Sequence, residues 1–111
     1  MPCRPIYEWG PFIWGMIHTV SIIDFEDPLI QKEHVDKAIY ILKNIALIIP
    51  CPKCSLHYQT YIENEVLKNK YIYEKMGLFK MTINYHNEIN KNLGKDIIEY
   101  EESLKKWVKT I

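Results

Sequence analysis

Between Val35 and Ile49 the apolar residues Val35, Ala38, Ile39, Leu42, Ile45, Ala46 and Ile49 recur at intervals of three and four, and Pro50 stops the run. This spacing lays an apolar stripe along one side of a helix; a half-buried strand would need strict alternation. The helix so defined begins between Asp27 and Val35 and ends at Ile49. The other segments follow the same period. A first helix is expected from about Pro11, well placed at a first helical position, to about Ile23, where Asp24 to Pro28 ("DFEDP") breaks the pattern. A third opens at Cys51-Pro52-Lys53-Cys54, with Pro52 where a missing N–H is tolerated, and runs to about Glu65. After a loop through "KNKYIYEKMG" a fourth helix spans Leu78 to Leu93, closed by Gly94 as a left-handed cap. A short fifth, from Glu101 to Ile111, carries Trp107. The chain therefore reads as all-α, with residues 1–111 forming one domain.

A chain of 111 residues can bury a core without disulfides to support it. Three cysteines are too few, and odd in number, for a disulfide scaffold. Lys plus Arg and Asp plus Glu balance at 14 each, which removes the electrostatic case for nucleic acid or an anionic membrane surface. The opening "MPCRPIYEWG" has two prolines, an arginine and a glutamate where a secretory signal needs an apolar run. The longest apolar stretches, such as Ile45 to Ile49, fall far short of the ~20 residues of a membrane span. The expectation is a soluble protein with no nucleic-acid or membrane partner.

Cys51 and Cys54 could be a metal clip, a redox couple or two small buried hydrophobes, because all three use that spacing. At a helix N-terminus, the positive dipole end and unpaired N–H groups favour a thiolate. His57, three residues after Cys54, lies on the same side of its helix. In the fourth helix Phe79, Ile83, His86, Asn90 and Leu93 share one face, with Asn87 beside them; in the first, Trp14, His18 and Ser21 do the same. An imidazole or amide buried without partners costs roughly 1–3 kcal/mol, so these stripes must meet hydrogen-bonding groups. A planar heteroaromatic cofactor would supply them and still fill a core.

The rival is a zinc module using Cys51, Cys54, His57 and His86, since two thiolates and two imidazoles make a closed tetrahedral site. Its weakness is an unusual clip confined to one helical turn. A thioredoxin-like fold would need a strand before Pro50, and none is evident. A helical interaction domain without chemistry would explain why Ile41, Leu47 and Ile48 lie off the main stripe of the second helix, but not the buried polar groups. That second apolar face suggests a subunit interface, or else a covering helix.

Here the residues resemble a known family, the FAD-linked sulfhydryl oxidases of the Erv/ALR type. "HNEINKNLGK", His86 to Lys95, fits the family string His-Asn-x-(Val/Ile)-Asn-x-x-Leu-Gly-Lys throughout. Trp14 and His18 match its Trp-x-x-(Leu/Ile)-His, Gly10 stands at its glycine, "PCPKC" matches Pro-Cys-x-x-Cys, and Lys106-Trp107 matches a basic residue and tryptophan near the end of the FAD-binding core. The resemblance covers Trp9 to Trp107. It implies a four-helix bundle plus a short fifth helix, usually a homodimer, with FAD held beside the cysteine pair and no metal. Cys51 would exchange with substrate and Cys54 would reach the flavin. His86, Asn87, Asn90 and Leu93 would line the cofactor, with His57 near the flavin or the inner sulfur. Gly10, Trp14 and His18 would flank it, and Lys95, Lys106 and Trp107 would hold the adenosine and phosphate end.

The implied reaction oxidises thiols of a protein substrate, or of a thioredoxin-like relay protein, and passes the electrons to O₂, giving H₂O₂. The chain departs from many cellular members. Met81 stands where they have a tryptophan, and Ile83 and Tyr100 stand where they have a structural disulfide, so packing alone must hold the cofactor end. Only Cys3 lies outside the motif, and it cannot form an internal shuttle pair. The short domain is similar to viral members that work in the host cytoplasm during virion assembly, which implies host cytoplasm or virion here.

Overall fold

Asp27 accepts hydrogen bonds from the backbone N–H groups of Leu29 (2.8 Å) and Ile30 (3.4 Å), and Pro28 follows it at the first helical position. This N-cap starts the central helix. The computed structural model describes residues 5–108. Among them the α-helices are α1 (Ile6–Val20), α2 (Pro28–Ile45), α3 (Pro52–Lys68), α4 (Gly77–Asn92) and α5 (Tyr100–Trp107), with 3₁₀ turns at Ala46–Ile48 and Lys70–Tyr73. No strand occurs among the described residues. The all-α expectation holds.

The boundaries differ in instructive ways. α1 starts at Ile6, so Pro11 lies inside it rather than at its first turn. Pro11 removes one backbone donor, but Ile6, Trp9, Ile13 and Ile17 form a stripe that packs only if the helix begins early. The helix stops at Val20, short of Ile23; the following turn is held by Gln31, which is buried. Its side-chain amide donates to the Ile23 and Glu74 carbonyls, and its oxygen accepts from Phe25 N–H. α2 gives way at Ile45 to the 3₁₀ turn before Pro50 is reached. α3 runs one turn past Glu65, and α5 begins at Tyr100. Cys3, and the end of the predicted fifth helix, lie outside the described residues.

One core joins the helices: Val35 and Leu42 of α2, Ile13 and Ile17 of α1, Tyr58 and Ile62 of α3, and Leu78, Met81 and Tyr85 of α4. Burying a large aliphatic side chain contributes about 1.5–3 kcal/mol, so this cluster is the main source of stability. Gly77 is required where α4 meets the Lys70–Tyr73 turn, because a Cβ there would fall 1.9 Å from the Tyr71 carbonyl oxygen. Gly94, at φ +72°, closes α4 in the left-handed conformation as expected. The rings of Phe79 and Tyr100, centroids 6.0 Å apart, join α4 to α5.

The second apolar face, on α2 and the 3₁₀ turn that follows it, is not covered by another helix among the described residues. Leu47 is 83% exposed, and Tyr40, Ile41 and Ile48 are exposed beside it. No helix among the described residues is long and apolar enough to cross a membrane.

Candidate active site

Cys51 is the N-cap of α3 in extended conformation, φ −129° and ψ 111°, and Pro52 is the first helical residue. Its carbonyl accepts from Ser55 N–H (2.8 Å), while Ser55 Oγ donates to the Ala46 carbonyl (2.6 Å). The first turn of α3 is thus tied to the end of α2. Cys51 is buried and Cys54 half-buried.

Cys54 and His57 both border a cavity of about 310 Å³. Trp9, Ile13 and Trp14 of α1 form one wall, and Tyr85 and Ile89 of α4, with Leu93 just past its end, another. His57 Nδ1 is 3.2 Å from the Tyr85 hydroxyl. Burial pushes the Tyr85 phenol above its ordinary pKa, with Glu88 adding to the effect, so it stays protonated. The result is an apolar slot with aromatic sides and a sulfur on its wall.

Trp14 also closes the opposite side of the site. Its ring stacks on His86 at 3.7 Å and 6°. His86 Nδ1 is 2.9 Å from His18 Nε2, and His18 Nδ1 is 3.1 Å from Thr82 Oγ1. Thr82 Oγ1 donates to the Phe79 carbonyl (2.8 Å), and Ser21 Oγ donates to the His18 carbonyl (2.9 Å). Trp107 tilts against His18 at 5.4 Å. Desolvation pushes His18 down to about 3, helped by His86 and Lys106; desolvation, then Lys106 and Lys95, push His86 down to about 4. Both imidazoles are neutral at neutral pH. The polar stripes therefore satisfy one another, and among the described residues no fully buried side-chain nitrogen or oxygen lacks a partner. Where the sequence pattern suggested a cofactor as the source of these partners, His18, Thr82, Ser21 and the Nδ1 of His86 find them within the protein.

The remaining sequence-selected residues fall into separate places. Asn87 spans Ile98, donating from Nδ2 to its carbonyl (2.9 Å) and accepting its N–H at Oδ1 (2.6 Å). Asn90 is buried, and its backbone carbonyl accepts from Lys95 N–H (2.8 Å). Together they anchor the segment that carries Lys95. Leu93 is exposed at the cavity rim, and Lys106 lies 5.0 Å from the Trp107 ring centroid. Gly10 is buried; a Cβ there would meet Ile6 of its own helix at 3.2 Å, so the space beside it is already filled. The four proposed zinc ligands do not converge. His86 is engaged by His18, His57 by Tyr85, and among the described residues no three His, Cys, Asp or Glu could hold a metal. Sequence reasoning missed Tyr85 and Thr82. Thr82 sits one helical turn before His86, and Tyr85 continues the Met81–Ile89 stripe.

An all-α fold whose Cys-x-x-Cys pair opens a helix, beside an aromatic cavity, belongs among helical proteins and not with the thioredoxin-like βαβ folds. The chain is a member of the Erv1 / Alr family, whose model matches residues 12–109. It is 33% identical over 96 residues to the FAD-linked sulfhydryl oxidase of African swine fever virus, spanning 86% of this chain and 76% of that protein. It is 30% identical over 105 residues to the 347L protein of Invertebrate iridescent virus 6, spanning 89% and 91%. The crystal structure of the yeast Erv1 core has the same fold, with a TM-score of 0.72 at 19% identity over 96% of this chain and 86% of that one.

Proposed function

We propose that this chain is an FAD-linked sulfhydryl oxidase that converts dithiols of a protein substrate, or of a thioredoxin-like relay, into disulfides through Cys51 and Cys54. The observation that carries this reading is Cys54 on the wall of an aromatic slot. The residues fit a flavin: the largely apolar lining with Trp14 and Tyr85 suits a tricyclic ring, and Lys95 and Lys106 beside His86 suit phosphates. Bound FAD supplies a two-electron acceptor that is reoxidised by O₂, giving H₂O₂.

A substrate thiolate attacks Cys51 Sγ of the oxidised pair and Cys54 leaves as a thiolate; a second substrate thiol then displaces Cys51 and leaves as product disulfide. The pair has gained two electrons and two protons, which it gives up when it closes again. Cys54 takes the inner role because it borders the slot. Cys51 is buried, so exchange there requires local opening of the seam between the two prolines. Trp14 and Tyr85 orient the ring and exclude water, and His57 and Leu93 border the same slot. His18, His86 and Trp107 form its far support, and Asn87 and Asn90 act indirectly by placing Lys95.

The exposed apolar face of α2 supports a homodimer, which light scattering checks; a monomer at micromolar concentration contradicts it. The viral relatives support action in host cytoplasm or virion. The decisive experiment is the purified protein itself. It should be yellow, with a flavin spectrum, and consume O₂ with a dithiol substrate; a colourless, zinc-loaded protein overturns the reading.

A further inference from the structure

The hydroxyls behind the histidines determine which ring nitrogens carry protons. Each hydroxyl has one proton, and a carbonyl oxygen can only accept. Thr82 Oγ1 and Ser21 Oγ make their shortest contacts, 2.8 and 2.9 Å, to the carbonyls of Phe79 and His18, and lie 3.1 Å from each other. We place both protons on those shorter carbonyl contacts. None remains for His18 Nδ1, 3.1 Å from Thr82 Oγ1, so that nitrogen is the donor. A neutral imidazole has one N–H, which leaves a lone pair on His18 Nε2. The 2.9 Å contact then makes His86 Nδ1 the donor and leaves the lone pair of His86 on Nε2.

We propose that Ser21 and Thr82 are positioning residues that hold His18 and His86 both in the Nδ1–H tautomer, so that His86 Nε2 meets a bound ligand only as a hydrogen-bond acceptor. The chemistry it recognises is an N–H or O–H donor, such as an amine or sugar hydroxyl of a nucleotide cofactor. A carbonyl or phosphate oxygen is refused at that nitrogen. Both rings are neutral because they are desolvated beside Lys106. The ligand part rests on the flavin reading; the tautomer part does not.

The test is long-range ¹⁵N–¹H correlation spectroscopy of histidine-labelled protein as purified. Wild type should show protonated Nδ1 and bare Nε2 at both His18 and His86. Thr82→Val keeps the shape but removes the acceptor, and should move both protons to Nε2 and weaken flavin affinity about tenfold. Thr82→Ser should restore the wild-type tautomers and affinity. A proton on His86 Nε2 in wild type overturns the proposal, and this holds even if Thr82→Val does not fold. Unchanged tautomers in a folded Thr82→Val protein overturn it too. A flavin-free protein that still shows the Nδ1–H pair and its switch defeats the flavin reading and supports the tautomer assignment.

Discussion

The two sides of Trp14 are built on opposite principles. On one, Cys54, Tyr85 and Ile13 border an apolar slot that makes almost no directional demands; on the other, His18, His86, Thr82 and Ser21 form a row joined by hydrogen bonds from ring to ring to hydroxyl. An apolar wall accepts a range of flat ligands and tolerates small shifts, because dispersion and burial are non-directional. A buried polar row tolerates little, because any lost partner leaves a desolvated donor or acceptor. The slot is thus suited to binding and chemistry, and the row to fixing the shape of the slot from behind.

The strongest way to separate the two sides is Cys54→Ser. It should abolish dithiol-dependent O₂ consumption while the protein stays folded and yellow; retained turnover would show that the slot sulfur is not the inner one. Trp14→Ala attacks both sides at once. It should lower stability by about 3 kcal/mol in urea unfolding and release flavin, and a loss under 1 kcal/mol would mean that the shared ring holds neither side.

The histidine row makes stability depend on acid. Unfolded histidine titrates near 6.5, whereas His18 and His86 are pushed down to about 3 and about 4 in the fold, so between those limits the unfolded chain binds more protons. Stability from this source is fully present above pH 6.5 and is lost as pH falls toward 4. The slope approaches about 1.4 kcal/mol per pH unit for one group, less for the more exposed His86. Denaturant midpoints that stay level from pH 6.5 to 5 would contradict the neutral pair. Asn87→Ala should have the smallest effect, about 1–2 kcal/mol, read as faster amide exchange at Ile98. Unchanged exchange there would remove the clamp from the account.

The sequence made the helices and the polar stripes legible because both depend on period alone. Pro50 and Pro52 marked the seam at the cysteines, and Gly94 marked a helix end, through local backbone rules that the packing at those positions leaves in place. Pro11 misled for a complementary reason. Its local preference for a first turn was outweighed by the packing of Ile6 and Trp9, which only the assembled core reveals. His18 and His86 were recognisable as buried polar residues, but their partners were not, since Thr82 and Ser21 come from segments some sixty residues apart. Asn87 was selected by its motif and turned out to grip a backbone segment, a distinction that residue identity cannot make.

The grip of Asn87 on Ile98 reproduces, with one side chain, the paired donor and acceptor that a neighbouring strand would present. Asn87 recognises the peptide groups of residue 98 and not its side chain. The grip itself therefore excludes only proline at position 98, which has no N–H to offer. A single asparagine thus holds a passing segment by its backbone, in the way a strand would.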